Sequence, residues 1–309
     1  MKNLTNDIYD VIVVGAGPAG LTSAIYTARA GLKTLVFEHS APGGKLVKTD
    51  LIENYPGFDS ITGPDLAIKM YSQATSLGAE IQFYGVTKIQ KVEDIFEVVL
   101  SNNEIKKAYA VILATGTEEN KLGIPGEAEL YGKGVSYCAV CDGAFYKDQP
   151  VAVVGGGYSA IQEAMYLSRL VKKVYLIVRR DVFRADANKV AKLKAQNNVE
   201  FILKSQVKQI NGTNKVESIL ITTPEGEKTL QVNAIFPYIG STPVIEPAKD
   251  LHLENQKGYI PATDKMESTI KGLYIAGDVR DVPLRQIAIA CGDGAIAGQM
   301  AVEYVQEVK

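Results

Sequence analysis

The stretch YCAVCDGAFY, residues 137–146, holds two of the three cysteines in the chain, Cys138 and Cys141, with Asp142 directly after them. Cysteines at this spacing suit three chemistries: half of a zinc site, a structural clip, or a redox dithiol. Tetrahedral structural zinc takes four ligands. The remaining candidates, Cys291, His39 and His252, include no second pair at ligand spacing. A clip closing so short a loop restrains little of the unfolded chain. A redox dithiol needs one accessible thiol, a second to resolve mixed disulfides, and control over thiol protonation. Asp142 suits proton exchange with a departing thiolate; its purely structural role would be a helix N-cap or turn acid. Cys291, in the apolar run IAIACGDG, is expected to be a small buried residue.

Two glycine patterns suit phosphate chemistry. The first is Gly15-x-Gly17-x-x-Gly20, with Pro18 and Ala19 inside it. Its first glycine makes the tight turn, its second admits a pyrophosphate to the backbone, and its third lets helix and strand pack closely. Glu38 lies 18 residues beyond Gly20, where a carboxylate can accept hydrogen bonds from a ribose with free hydroxyls. That pattern fits FAD or NAD. The second is Gly155-x-Gly157-x-x-Ala160, containing Gly156 and Ser159. An offset of 140 residues relates the two patterns and maps Glu38 onto Val178, followed by Arg179 and Arg180, with Arg184 expected one helical turn on. With the acid gone and three guanidinium groups nearby, the second pattern suits the 2′-phosphate of NADPH. Farther along, Asp278 in IAGDV stands where a carboxylate can hold the ribityl chain of a flavin. The helix expected after Arg285-Gln286 would turn its positive end to the flavin ring.

The elements that must position these residues are legible around them. IYDVIVV, the first glycines, LTSAIYTARAG and KTLVFEHS form strand, turn, helix and strand, a βαβ unit, and residues 151–178 repeat that grammar. Between the units lie an alternating segment around KVEDIFEVVLS and a strand-like AYAVILATG. Breaks with the Gly/Pro character of linkers occur at 118–127 and 238–247. The expected fold is α/β: two Rossmann-like dinucleotide-binding domains of three-layer ββα type, the second inserted into the first. The FAD-binding domain would be 1–118 and 247–309, and the NADPH-binding domain with its CxxC pair 119–246. The dithiol and the nicotinamide must both exchange electrons with one flavin, so reorientation about the two linkers is expected.

A length of 309 residues suits two domains. A net charge of −2 gives no support to nucleic acid or an anionic membrane as partner. The polar N-terminus, MKNLTNDIYD, lacks a signal-peptide core, and no apolar run approaches the roughly 20 residues of a span. A soluble, cytoplasmic chain is expected. In that compartment a close cysteine pair is catalytic or metal-binding more often than structural.

GAGPAG, PGGKL, ENYPG, ATG, CAVCDGAFY, GGGYSA, RRDVFR and GDVRDVPLRQ occur in an order that resembles the low-molecular-weight, bacterial-type thioredoxin reductases over essentially the full length. The resemblance implies electron flow from NADPH through FAD to the Cys138–Cys141 pair and on to oxidised thioredoxin, in a homodimer. It implies Cys141 as the thiol facing the flavin, Cys138 as the thiol attacking thioredoxin, and Asp142 as acid/base. It further implies that Gly43, Gly44, Lys45, Leu46, Asn54, Gly116, Asp278, Arg285, Gln286 and Ile287 surround FAD. The chain departs from the family pattern at Tyr158, Gln162, Val178 and Val244, all in the NADPH domain or its exit, and at Lys45. Ferredoxin as electron donor, a peroxiredoxin-type or other thioredoxin-like partner, and a non-catalytic flavin-binding redox sensor are the alternatives.

Overall fold

The computed structural model describes residues 8–49 and 51–309. Most of the polar N-terminal stretch therefore lies outside the described residues. The helices, in chain order, are α1 (Pro18–Arg29), α2 (Gly63–Ser76), α3 (Ala139–Asp142), α4 (Tyr158–Ser168), α5 (Ala187–Lys194) and α6 (Ile287–Val308). The chain divides into two compact units, one ending at Glu118 and resuming over Pro243–Lys309, the other Glu119–Thr242. Among the described residues no helix is long and apolar enough to cross a membrane.

The first unit is built on a seven-stranded sheet. Ile8–Val14 lies at its centre, parallel to Thr34–Phe37 on one side and Ile105–Leu113 on the other, and Glu80–Gln82 extends the parallel part. Ile105–Leu113 serves two neighbours. Its first half pairs antiparallel with Ile95–Leu100, and its last residues pair parallel with the returning strand Leu273–Ile275. Alternate residues of a strand face opposite sides, and here both sides are covered. Val11 and Val13 join α1, α2 and α6 in one core, whereas Ile12 and Val14 join Phe96, Val98 and Leu100 in another. This is why the run Val11–Val14 is apolar at every position. Burial of each such side chain is worth about 1.5–3 kcal/mol.

The second unit repeats the plan. Pro150–Val154 runs parallel between Lys173–Val178 and Ala234–Pro237, with Val199–Leu203 at the far edge. Val151 and Val153 pack on the α4 side, Ala152 and Val154 on the side of a three-stranded antiparallel sheet, Gln206–Asn211, Ser218–Thr223 and Gly226–Gln231. The segment 118–127, linker-like in composition, is organised by a side chain. Glu127 is 4% exposed and accepts the N–H groups of Leu122 at 2.7 Å and Gly123 at 2.6 Å.

Candidate active site

Both glycine turns show the same division of labour. Gly15 and Gly155 have φ of +102° and +140°, and a Cβ on them would lie 2.4 Å from the Ala114 carbonyl oxygen and 2.2 Å from that of Tyr238. Gly17 and Gly157 face open space, with nothing within 4 Å of where a Cβ would lie. That space, beside the first turn of α1 and of α4, is where a pyrophosphate can approach backbone N–H groups. At the third position, a Cβ on Gly20 would meet the Gly15 carbonyl oxygen at 1.8 Å, whereas the second turn has room for Ala160.

In the first unit Pro18 opens α1 and Ala19 is buried beneath it. Glu38 is 6% exposed just beyond its strand, accepting the Ala16 N–H at 2.9 Å and the Ser40 N–H at 2.9 Å. The carboxylate thus holds the glycine turn. Gly43 donates its N–H to the Ala16 carbonyl at 2.7 Å, and Gly44 packs so near Gly17 that a Cβ would lie 3.3 Å from it. Leu46 is buried, and Lys45 donates to the Thr117 hydroxyl at 2.7 Å, beside Gly116. The Gly116 carbonyl accepts the Val244 N–H at 3.0 Å. Asn54 donates to Gln286 at 2.9 Å across 232 residues of chain, with Gln286 capping α6 and Ile287 beginning it.

Asp278, half-buried, has its carboxyl raised above the ordinary carboxylate range by burial, an effect opposed by the cations of Lys45 and Arg285. The Arg285 guanidinium lies 4.1 Å from the Tyr259 ring centre, and its Nε is buried without a partner. A buried, unmatched donor in the same unit as the open glycine turn fits an acceptor-rich dinucleotide there. Cys291 is partly buried rather than fully enclosed; it accepts a hydrogen bond from the Tyr55 hydroxyl at 3.6 Å. Burial and that thiol push Tyr55 up to about 12.

The second unit carries the sulfur chemistry. Cys138 and Cys141 are joined in a disulfide, with Cα atoms 5.3 Å apart. Cys138 is the N-cap of α3, and its sulfur accepts the Cys141 N–H at 3.1 Å. Asp142 is therefore the last residue of the helix and not its cap; its N–H returns to the Cys138 carbonyl at 3.1 Å. Cys138 is 8% exposed, whereas Cys141 is exposed. Ala139, at 0% exposure, shares a core with Ala160, Ile161, Ala164 and Leu167 of α4, so the disulfide rests on the helix that opens at the second glycine turn.

Around that turn, Ser159 is exposed in the first turn of α4. Arg179 and Arg180 are exposed directly after the strand Lys173–Val178, whose buried Val178 would contact a Cβ on Gly156 at 2.7 Å. Arg184 is not a helical turn farther on, because α5 begins only at Ala187. Its N–H donates to the Gly156 carbonyl at 2.8 Å, which brings it back to the glycine turn by another route. Tyr158 accepts a hydrogen bond from Lys189 at 2.5 Å.

Two residues beneath the disulfide carry no signal in the sequence. Tyr137 donates its hydroxyl to Glu127 at 2.5 Å; burial, then that carboxylate, raise its pKa well above the ordinary phenol value. Tyr238 accepts the Ala139 N–H at 2.8 Å. Burial, with the carboxylates of Glu163, Glu119 and Asp142 facing it, keeps Tyr238 protonated far beyond neutral pH.

Residues 9–294 match the family described as pyridine nucleotide-disulphide oxidoreductase. Thioredoxin reductase of Bacillus subtilis is 45% identical over 305 residues, covering 98% of this chain and 96% of the relative. That of Mycoplasma genitalium is 48% identical, covering 95% of each. The crystal structure of Lactococcus lactis thioredoxin reductase superposes with a TM-score of 0.93 at 40% identity, covering 97% of this chain and 99% of that one.

Proposed function

The chain belongs to the pyridine nucleotide-disulphide oxidoreductase family, and from that premise we propose that it acts as a thioredoxin reductase, with FAD in its first unit and NADPH at the second glycine turn. The observation that carries the reading is the Cys138–Cys141 disulfide, seated on the helix that opens at the second of two dinucleotide turns. Glu38 and the turn at Gly15–Gly20 would hold the adenosine side of FAD, with Gly43–Leu46, Asn54, Gly116, Asp278 and Arg285–Ile287 around the remainder. Arg179, Arg180 and Arg184 would hold the 2′-phosphate of NADPH.

When bound, the flavin and nicotinamide supply the electron pair. Opening the Cys138–Cys141 bond consumes two electrons and two protons, leaving two thiols. The Cys141 N–H aimed at the Cys138 sulfur stabilises a thiolate there, since a hydrogen bond to a charged acceptor is worth about 1.5–3 kcal/mol. That thiolate attacks one sulfur of the thioredoxin disulfide, forming a mixed disulfide and expelling a thiolate that Asp142 helps to protonate. Cys141, deprotonated, then attacks Cys138, which restores the internal disulfide and releases the second thioredoxin thiol. Cys138 is the less exposed residue of the pair. Because the dithiol and the nicotinamide must each exchange electrons with one flavin, the proposal includes a reorientation about the segments 118–127 and 238–247.

The test is Cys138→Ser in the flavin-loaded enzyme without oxygen. NADPH should still bleach the flavin while thioredoxin reduction is lost. Thioredoxin turnover surviving the change would sink the dithiol route, and failure of NADPH to bleach the wild-type flavin would move the donor to another reductant such as ferredoxin.

A further inference from the structure

Tyr238 touches both halves of the chemistry in the second unit. Its backbone N–H donates to the Val154 carbonyl at 2.7 Å, at the end of the strand leading into the glycine turn. Its own carbonyl oxygen sits 2.2 Å from where a Cβ on Gly155 would lie, closing the first glycine of that turn. From the same residue the phenol oxygen reaches back across 99 positions of sequence to accept the Ala139 N–H at 2.8 Å.

The Ala139 N–H belongs to the first residue of α3, where no preceding helical carbonyl is available. Two neighbouring donors are satisfied by Cys138 itself, the Cys141 N–H by its sulfur and the Asp142 N–H by its carbonyl. Ala139 is fully buried, so its donor depends on Tyr238. We propose that Tyr238 is a positioning residue for the Cys138–Cys141 disulfide, holding the start of α3 in the geometry that the closed disulfide requires and tying it to the nucleotide turn. The proposal rests on the reading of this pair as redox-active.

The redox consequence has a sign. While the disulfide is closed, the segment is covalently clipped, and an Ala139 N–H deprived of its acceptor stays buried and unpaired. Once the disulfide is opened, the segment is released, and the same N–H can turn to a thiolate or to water. Loss of the phenol oxygen therefore penalises the disulfide more than the dithiol. The Tyr238→Phe enzyme should be reduced more readily, by roughly tenfold in the exchange constant, which is ~30 mV for this two-electron couple.

The experiment equilibrates flavin-loaded wild-type, Tyr238→Phe and Tyr146→Phe proteins with graded ratios of reduced to oxidised dithiothreitol and counts Cys138 and Cys141 thiols by alkylation and mass spectrometry. Tyr146 packs against the same core as Tyr238 and controls for loss of a hydroxyl there. The expected result is a roughly tenfold shift toward dithiol in Tyr238→Phe and none in Tyr146→Phe. Equal midpoints in wild type and Tyr238→Phe, or equal shifts in both variants, overturn the proposal. A wild-type pair that no ratio reduces overturns the reading beneath it, and the proposal with it. Independently of any variant folding, the Ala139 amide of the oxidised wild type should exchange hydrogen slowly and speed up on reduction. Exchange at a surface rate in the oxidised protein also overturns the proposal.

Discussion

Glu127 accepts the hydroxyl of Tyr137 at 2.5 Å, and Tyr137 is the residue immediately before Cys138. The same carboxylate takes the N–H groups of Leu122 and Gly123. One buried acid therefore organises the segment where the chain enters the second unit and also braces the approach to the disulfide. Glu127→Ala would strip three donors of their acceptor at once. A buried donor left unpaired costs about 1–3 kcal/mol, and the loosened segment recovers part of the total, so a destabilisation of about 3 kcal/mol is expected in denaturant titrations. Glu127→Gln, which keeps one carbonyl oxygen, should lose less. Equal losses in the two variants would show that packing, not hydrogen bonding, is what Glu127 contributes.

Two glycines of α6 should respond with opposite signs. A Cβ on Gly294 would lie 2.2 Å from the Ala19 backbone oxygen, which cannot yield without moving α1. Because α1 begins at the first glycine turn, Gly294→Ala should destabilise the protein by about 1–3 kcal/mol and reduce the flavin retained on purification. A Cβ on Gly292 meets nothing within 4 Å. Gly292→Ala should be neutral or stabilising, by up to about 1 kcal/mol, because alanine is the better helix former. Thermal unfolding and flavin absorbance separate the two; a flavin-replete, fully stable Gly294→Ala protein would contradict the close helix approach.

Strands, glycine turns and the cysteine pair are legible in the sequence because each is a local pattern. Val11 and Val13 alternate with Ile12 and Val14 between two cores, and that run is apolar for that reason. Glu127 and Tyr238 have no such signature. Glu127 sits in a run of glycine, proline and charge with the composition of a linker, and only its contacts with Leu122, Gly123 and Tyr137 make it structural. Tyr238 meets Ala139 across 99 positions, and Asn54 meets Gln286 across 232. Pairings of that range are decided by the sheet order. Arg184 shows the intermediate case: its neighbourhood is legible, but a turn closed on Gly156, not a helix, brings it there.

Arg179 and Arg180 follow the strand that faces the second glycine turn, and Arg184 is held to Gly156 through its backbone. If they grip a 2′-phosphate, Arg179→Ala and Arg180→Ala should each weaken NADPH binding roughly ten- to hundredfold, the worth of one charge-assisted contact. NADH binding should hardly change. The check is a pair of titrations followed by flavin bleaching at low nucleotide, and parallel losses for both nucleotides would remove the arginines from phosphate recognition.

Asp278 offers a dependence on pH whose sign follows from its surroundings. Burial raises its carboxyl above the ordinary carboxylate value, against the opposing pull of Lys45 and Arg285. In the unfolded chain the same group titrates near 4. Between these two values the folded protein binds more protons than the unfolded one, so stability must fall as pH rises through the interval. The contribution of protonated Asp278 is complete below the unfolded value and is lost as pH passes the raised, folded one. Asp278→Asn, with nearly the same shape and no charge to bury, removes that loss. In protein freed of its dinucleotides, the variant should gain stability relative to wild type as pH climbs from ~4, and the gain should level off once Asp278 is fully ionised. Unfolding midpoints of the two proteins measured in parallel across this range give the answer. A difference that stays constant with pH would mean that Lys45 and Arg285 offset the desolvation of Asp278 completely.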